Sequence, residues 1–281
     1  DGHNGAVFEL AFRADGQVLA SASGDRTVKL NATTDAAQAG PCDLVIIATK
    51  AAQVEAAARS VKPLLKADTP VLTIQNGLGS ADKVAAVLGA ERIVIGVVGG
   101  FGASIKSPGH AHHNGMEFLR LGEMTGGQSK RLETIAETWR SGGFKVLTFD
   151  DIHKMIWEKL ICNTTYSAPC ALLGWTIGQM QADANAWEVC KGAATEAHAV
   201  ARKKGVSLEF TDVVAYVKAF GEKIPGARPS MLLDHMAQRP SEIDVINGAI
   251  PREGRAVGVA TPVNDTLVAL VKARESAFAG R

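Results

Sequence analysis

The sequence predicts an α/β protein in which a parallel sheet covered by helices is followed by an all-helical C-terminal domain and preceded by a short β segment. Three observations predict it. Between residues 31 and 150 short apolar runs alternate with helical stretches. From 151 to 281 strand signals nearly vanish and long amphipathic stretches take over. Residues 1–30 alternate in short β-type runs with no helix among them.

In the N-terminal zone, "AVFELAF", "VLASAS" and "TVKL" are separated by the turn signals "ADGQ" and "SGDR". The middle zone opens with the strand "DLVIIAT", a helix through "QVEAAARSVKPLLK", the strand "VLTIQ", a helix through "SADKVAAVLG" and the strand "RIVIGVV". Continuous apolar strands joined by crossover helices imply a parallel sheet buried on both faces. "MEFLRLGE", the helix "SKRLETIAETWRSGG" and "KVLTF" complete the zone. In the last zone "ANAWEVCKGAATEAHAVARKKG" carries basic residues at its end, and Gly205 reads as a helix stop.

Composition limits the function classes. The chain has 281 residues, 46% hydrophobic and 21% charged, which is ordinary globular material with enough length to bury a core. Thirty Lys and Arg stand against 29 Asp and Glu, so no overall field draws the chain to nucleic acid or to an anionic membrane. Cys42, Cys162, Cys170 and Cys190 show no C-x-x-C spacing and read as reduced thiols of a cytoplasmic protein, with no metal site. No run approaches the ~18 apolar residues of a membrane span, and no basic-then-apolar leader opens the chain. The first residue is Asp rather than Met, which suggests a processed, trimmed or engineered start.

Open parallel sheets bind ligands beyond the carboxyl ends of their strands. "DLVIIATK" ends in Lys50, with Gln53 three residues on, and "VLTIQNGLG" carries Asn76 ahead of a glycine turn. An ammonium and an amide from neighbouring strand tips are expected to share one pocket and donate to a ligand's hydroxyl or phosphate oxygens. The alternative stands beside it: a solvated lysine and an ordinary Asn-Gly turn. In "IWEKLICNTTYSAP", Lys159, Asn163 and Ser167 are spaced i, i+4, i+8 along one face of a largely buried helix. Desolvation there moves a lysine pKa down toward the range of a general acid, unless the side chain snorkels to water. "PSMLLDH" and "SEIDVINGAI" add Ser230, Asp234 and Glu242, which on their own read as an N-cap and a first-turn acid.

Taken in order, "DLVIIATKAAQ", "TIQNGLG", "WEKLICN", "PSMLLDH", "SEIDVINGAI" and "GVATPVND" resemble the ketopantoate reductases (2-dehydropantoate 2-reductases), from about Leu30 to the C-terminus. The resemblance implies an incomplete Rossmann-like nucleotide-binding domain over 31–150 and a helical substrate and catalytic domain over 151–281. It implies NADPH-dependent reduction of 2-dehydropantoate, or a similar 2-keto acid, to the 2-hydroxy acid, in pantothenate and coenzyme A synthesis. By the same resemblance Lys159 is the general acid and Asn76 orients cofactor and substrate. Lys50, Gln53, Ala103 and Glu242 line the cofactor, while Asn163, Ser167 and Ser230 bind the substrate with Lys159. Where the family usually has a second Asn, this chain has Ser167, which leaves the choice of 2-keto acid open. A homodimer is what the resemblance allows. The chemistry agrees, since hydride reaching C2 turns the carbonyl oxygen into an alkoxide that an ammonium in a dry cleft stabilises and protonates.

Residues 1–30, by contrast, resemble a single WD-repeat blade, with a Gly-His start, a "DG" hairpin and "LASASGDRTVKL". A lone blade has no independent stability. It occupies the place where the family carries a strand, a G-x-G-x-x-G/A loop and a helix, which bring backbone N–H groups to the pyrophosphate. "GHNGAV" and "GLGSAD" are weak substitutes. Three functions stand open: an active reductase assembled despite its unusual N-terminal segment, with activity expected to be weak or absent for want of the loop; a crippled chimeric or fusion chain of reductase ancestry; and, third, a WD-type interaction module.

Overall fold

The computed structural model describes residues 19–22, 28–31, 33, 35–100, 102–107, 110–115 and 118–278. The chain forms two compact units, one of Asp1–Gln75 with Ser80–Ile152 and the other of Asn76–Gly79 with His153–Arg281.

In the first unit, β1 (Leu19–Ala22) and β2 (Val28–Asn31) pair antiparallel, with Leu19 opposite Asn31. They fall on the second and third runs of the expected blade; the first run and both turn signals lie outside the described residues. Strand β3 (Val45–Ile47), helix α1 (Val54–Ser60), β4 (Val71–Thr73), α2 (Ser80–Leu88) and β5 (Ile93–Gly99) follow the expected alternation. Helix α1 is shorter than its apolar pattern because Pro63, which lacks an N–H and restricts Lys62, turns the chain into a 3₁₀ segment at Lys62–Leu64. Next come β6 (Gly102–Ser107), β7 (His110–Gly115), β8 (Phe118–Glu123), α3 (Lys130–Ser141) and β9 (Val146–Thr148).

The five-stranded sheet runs β3-β4-β5-β8-β9, while β6 and β7 form a separate antiparallel pair. Three of the four sheet pairings are parallel, and β5 with β8 is antiparallel. The chain returns from β5 to β8 through a hairpin rather than a crossover helix, and only the antiparallel direction is then available. Ala103 and Ile105 alternate with Ser104 and Lys106 in "GASIKS", but "HAHHNG" has Ala111 as its one apolar side chain, so the strand signal of this hairpin is weak. Strand β4 is buried along its whole length, as expected of a strand covered on both faces. Leu132, Ile135 and Ala136 of α3 lie at i, i+3, i+4 and pack with Leu72, Val94, Leu119, Leu121 and Val146 of the sheet.

The second unit is helical: α4 (Ile152–Leu173), α5 (Ile177–Ala182), α6 (Ala184–Lys203), α7 (Val213–Lys223), α8 (Ser230–Met236), α9 (Ala249–Val257) and α10 (Pro262–Ser276). The caps explain the boundaries. The Thr176 side chain and Gln179 close a capping box on α5, and the Asp183 carboxylate accepts from Asn185 and Ala186 N to start α6. Helix α6 ends on Arg202 and Lys203, with Gly205 at φ +79° just beyond. Its buried stripe, Ala186, Cys190, Ala193, Ala194, Ala197, Val200 and Ala201, follows helical spacing with small side chains. Among the described residues, no helix is long and apolar enough to cross a membrane.

Candidate active site

Helix α4 holds Lys159 among buried neighbours, Trp157, Leu160 and Ile161. The lysine itself is half-buried, and its Nζ donates to Asn76 Oδ1 at 2.8 Å. One ammonium proton is thereby committed to a neutral acceptor, so the charge is oriented without being neutralised by a carboxylate at that bond. Asn163 is half-buried one turn along α4, and Ser167 is buried a further turn on at 3% exposure.

Asn76 heads a short loop of the helical unit, and the loop's shape is set by contact. Gly77 and Gly79 have φ of +79° and +96°, which makes "NGLG" a true glycine turn. A Cβ on Gly77 would stand 2.0 Å from the carbonyl oxygen of Val245, so glycine is required twice over there. The same oxygen accepts the Leu78 amide at 2.9 Å. Val245 belongs to a closed turn in which the Glu242 carbonyl accepts from Val245 N and Ile246 N, and Ile243 O accepts from Gly248 N. Glu242, at the head of that turn, is half-buried.

Ser230 is exposed at the first position of α8 and does not cap it; Pro229 holds the N-cap position, with no side-chain bond. Asp234 is buried and paired with Arg239 at 3.3 Å.

Lys50 and Gln53 belong to the sheet unit, beyond the carboxyl end of β3. Both are exposed, and they bracket the 3₁₀ turn Ala51–Gln53, in which Gln53 N donates to Lys50 O at 2.8 Å. Ala103 lies in β6 opposite His113, and its side chain is outside the described residues. The "GHNGAV" stretch also lies outside them.

Gln75 belongs to this strand edge without being among the residues expected there. Its Nε2 donates to Ile47 O at 2.7 Å and to Thr49 O at 3.0 Å, clipping the end of β4 to the end of β3. Gln75 Oε1 and Thr49 Oγ1 are buried there with no hydrogen-bond partner among the described residues. Such atoms carry a desolvation cost, which the clip between the two strand ends offsets. A glutamine at the end of an apolar run was the only signal available.

Residues 5–126 match the family model described as ketopantoate reductase PanE/ApbA, and residues 151–275 match the model of its C-terminal domain. The first match begins inside the segment that reads as a propeller blade. The 2-dehydropantoate 2-reductase of Streptococcus pyogenes serotype M3 is 30% identical over 253 residues, covering 90% of this chain and 82% of the relative. Among solved structures, a PanE/ApbA family ketopantoate reductase from Ralstonia eutropha JMP134 has a TM-score of 0.81 at 30% identity, covering 89% of this chain and 82% of that one. D-mandelate dehydrogenase, solved with NADH and anilino(oxo)acetate, has a TM-score of 0.77 at 31% identity, covering 85% of this chain and 78% of that one.

Proposed function

The chain belongs to the ketopantoate reductase family, and from that premise we propose that it reduces 2-dehydropantoate, or a similar 2-keto acid, to the 2-hydroxy acid at the expense of NADPH. The observation that carries the reading is the 2.8 Å bond from Lys159 Nζ to Asn76 Oδ1. The bond sets the direction of an ammonium group, and a keto oxygen is an acceptor that such a donor suits.

A nicotinamide, when bound, supplies the hydride that adds to C2 of the keto acid. As the carbonyl π bond breaks, Lys159 stabilises the growing negative charge on oxygen and then transfers a proton to it. The products on this side are the hydroxyl group and a neutral amine, which solvent reprotonates. Asn76 fixes the direction of the ammonium, and fixed direction is what makes such a donor effective.

Lys50, Gln53, Asn76, Ala103 and Glu242 are the residues we assign to the cofactor. Asn163, Ser167 and Ser230 are assigned to the substrate with Lys159. The family supports NADPH as reductant, and the NADH bound by D-mandelate dehydrogenase makes NADH the comparison to run. A cytoplasmic homodimer completes the reading.

A second reading, a reductase with an impaired cofactor site, is favoured by residues 1–30, where short β-type runs replace the strand, glycine loop and helix. Fluorescence titration decides between the two. Quenching or enhancement at micromolar NADPH supports the active enzyme, and no binding at millimolar NADPH or NADH supports the impaired one. Turnover of 2-dehydropantoate against a panel of 2-keto acids then identifies the substrate.

A further inference from the structure

We propose that Asn247 is a positioning residue for the Lys159–Asn76 pair, holding the Glu242–Gly248 turn on α4 so that Val245 presents the Asn76 loop to the lysine. The proposal rests on the reading of Lys159 as the proton donor.

The geometry is a closed circuit within the helical unit. Lys159 leaves α4 and meets Asn76. Two residues on, Leu78 N is held by Val245 O, against which Gly77 is packed too closely for any side chain. Two residues past Val245, Asn247 is wholly buried, and its Nδ2 donates to Thr164 O of α4 at 2.9 Å and to Asn264 Oδ1 at 3.1 Å. Thr164 lies five positions beyond Lys159 on the same rigid helix, which closes the ring.

The outer side of the circuit is also pinned. Asn264 Nδ2 donates to Glu196 Oε2 at 2.8 Å and to Ala193 O at 3.2 Å, and the Glu196 carboxylate accepts from Val263 N and Asn264 N at the start of α10. Asn247 therefore joins α4 to α6 and α10 at a single point.

A stability role alone accounts poorly for the choice of asparagine. Asn247 Oδ1 and Thr164 Oγ1 are both buried and make no hydrogen bond among the described residues. A half-satisfied amide in a dry core is worse for stability than a well-packed apolar side chain. What an amide adds is a fixed distance between the turn and α4, and the turn carries the carbonyl on which the Asn76 loop rests. Loss of that distance lets Val245 and the loop drift, and Lys159 loses its partner even though neither residue has been changed.

The test reads Lys159 directly, with no need for turnover. Reductive methylation of the full chain with isotope-labelled formaldehyde gives a methyl resonance for Lys159, identified by its loss in Lys159→Ala. Asn76→Ala defines the position of that resonance when the bond is absent. In Asn247→Ala we expect the Lys159 signal to move toward that position while the other lysine signals stay in place. A Lys159 signal unmoved in Asn247→Ala overturns the proposal. Should Asn247→Ala fail to fold, Gly77→Ala attacks the same circuit from the half-buried Asn76 loop, and the same two outcomes apply.

Kinetics provide a second readout. Asn247→Ala is expected to lower kcat about tenfold with KM within about twofold, and to add no further loss in an Asn76→Ala background. Losses that multiply overturn it. If Lys159→Ala keeps full activity, the reading of Lys159 itself fails; if Lys159→Ala is inactive while the cycle multiplies, only the role of Asn247 fails.

Discussion

Lys159 and Asn76 stand 83 residues apart in the chain and 2.8 Å apart in the fold, with the lysine ammonium donating to the amide oxygen. The two substitutions at Lys159 separate charge from proton transfer. Lys159→Ala removes both and is expected to lower kcat by ~10²-fold or more, the scale of a lost general acid. Lys159→Arg keeps a cation but holds its proton at any working pH, so it is expected to recover little of the rate. Steady-state assays of the two variants check this: an unchanged rate in Lys159→Ala removes Lys159 from the chemistry, and an unchanged rate in Lys159→Arg leaves it the charge without the proton transfer.

The elements that carry this candidate site were legible in the sequence, for unequal physical reasons. The i, i+4, i+8 spacing of Lys159, Asn163 and Ser167 predicted a shared helix face, and helical geometry makes such a forecast nearly automatic. Strands β3, β4 and β5 announced themselves as apolar runs because burial on both faces leaves no room for alternation. The partnership of Lys159 with Asn76 came only through family resemblance, since no local pattern encodes a contact across 83 residues. The roles of Val245 and Asn247 were invisible. A backbone carbonyl has no sequence signature, and an asparagine in "ING" reads as a turn. Ser230 is the instructive near miss: its side chain suggested an N-cap, but Pro229 takes that position and Ser230 starts the helix.

Glu123 makes the sheet unit sensitive to acid. It ends β8 at 4% exposure, and its two oxygens accept from Arg131 Nε at 2.9 Å and Nη2 at 2.6 Å, while the Ser129 hydroxyl donates to Oε1. Burial alone raises the pKa of the carboxyl group, but the hydrogen bonds from Arg131 and Ser129 outweigh it and hold the pKa below its ordinary value. With the folded pKa below the unfolded value of ~4.3, the stabilisation is complete above that value and is lost as pH falls through the folded pKa. Glu123→Gln is expected to cost about 1–3 kcal/mol at neutral pH, because Arg131 loses its charged partner. Melting curves from pH ~7 down to pH ~3 should show the gap between wild type and variant closing in acid. A constant gap would mean that Glu123 is not ionised in the folded protein.

The thiols give a test of the helical core. Burial pushes Cys162 and Cys170 up to about 12 and moves Cys190 upward as well, so none of the three presents a thiolate at neutral pH. Cys42, in the sheet unit, is half-buried, and its pKa is raised by burial and by Asp43. One thiol of the four is expected to react with a disulfide reagent in native buffer, slowly, and all four in guanidinium. Cys42→Ser should abolish the native reaction. A second reactive thiol in that variant would show that the helical unit opens on the timescale of labelling.

Ser167 is where the substrate side of the site can be tested against a purely structural role. It lies two turns beyond Lys159 on α4 with its surface almost wholly enclosed, next to Tyr166 and Ala168, which are buried as well. Enclosure makes growth expensive: Ser167→Asn must displace packed neighbours and is expected to cost about 1–3 kcal/mol, seen as a lower melting temperature. Truncation is cheap, so Ser167→Ala isolates the hydroxyl. If that hydroxyl binds the keto acid, its loss raises KM for the substrate by about tenfold or less with kcat preserved, the mark of uniform binding. A melting temperature that falls in Ser167→Ala while KM stays fixed assigns the hydroxyl to the core and leaves Asn163 and Ser230 as the substrate contacts.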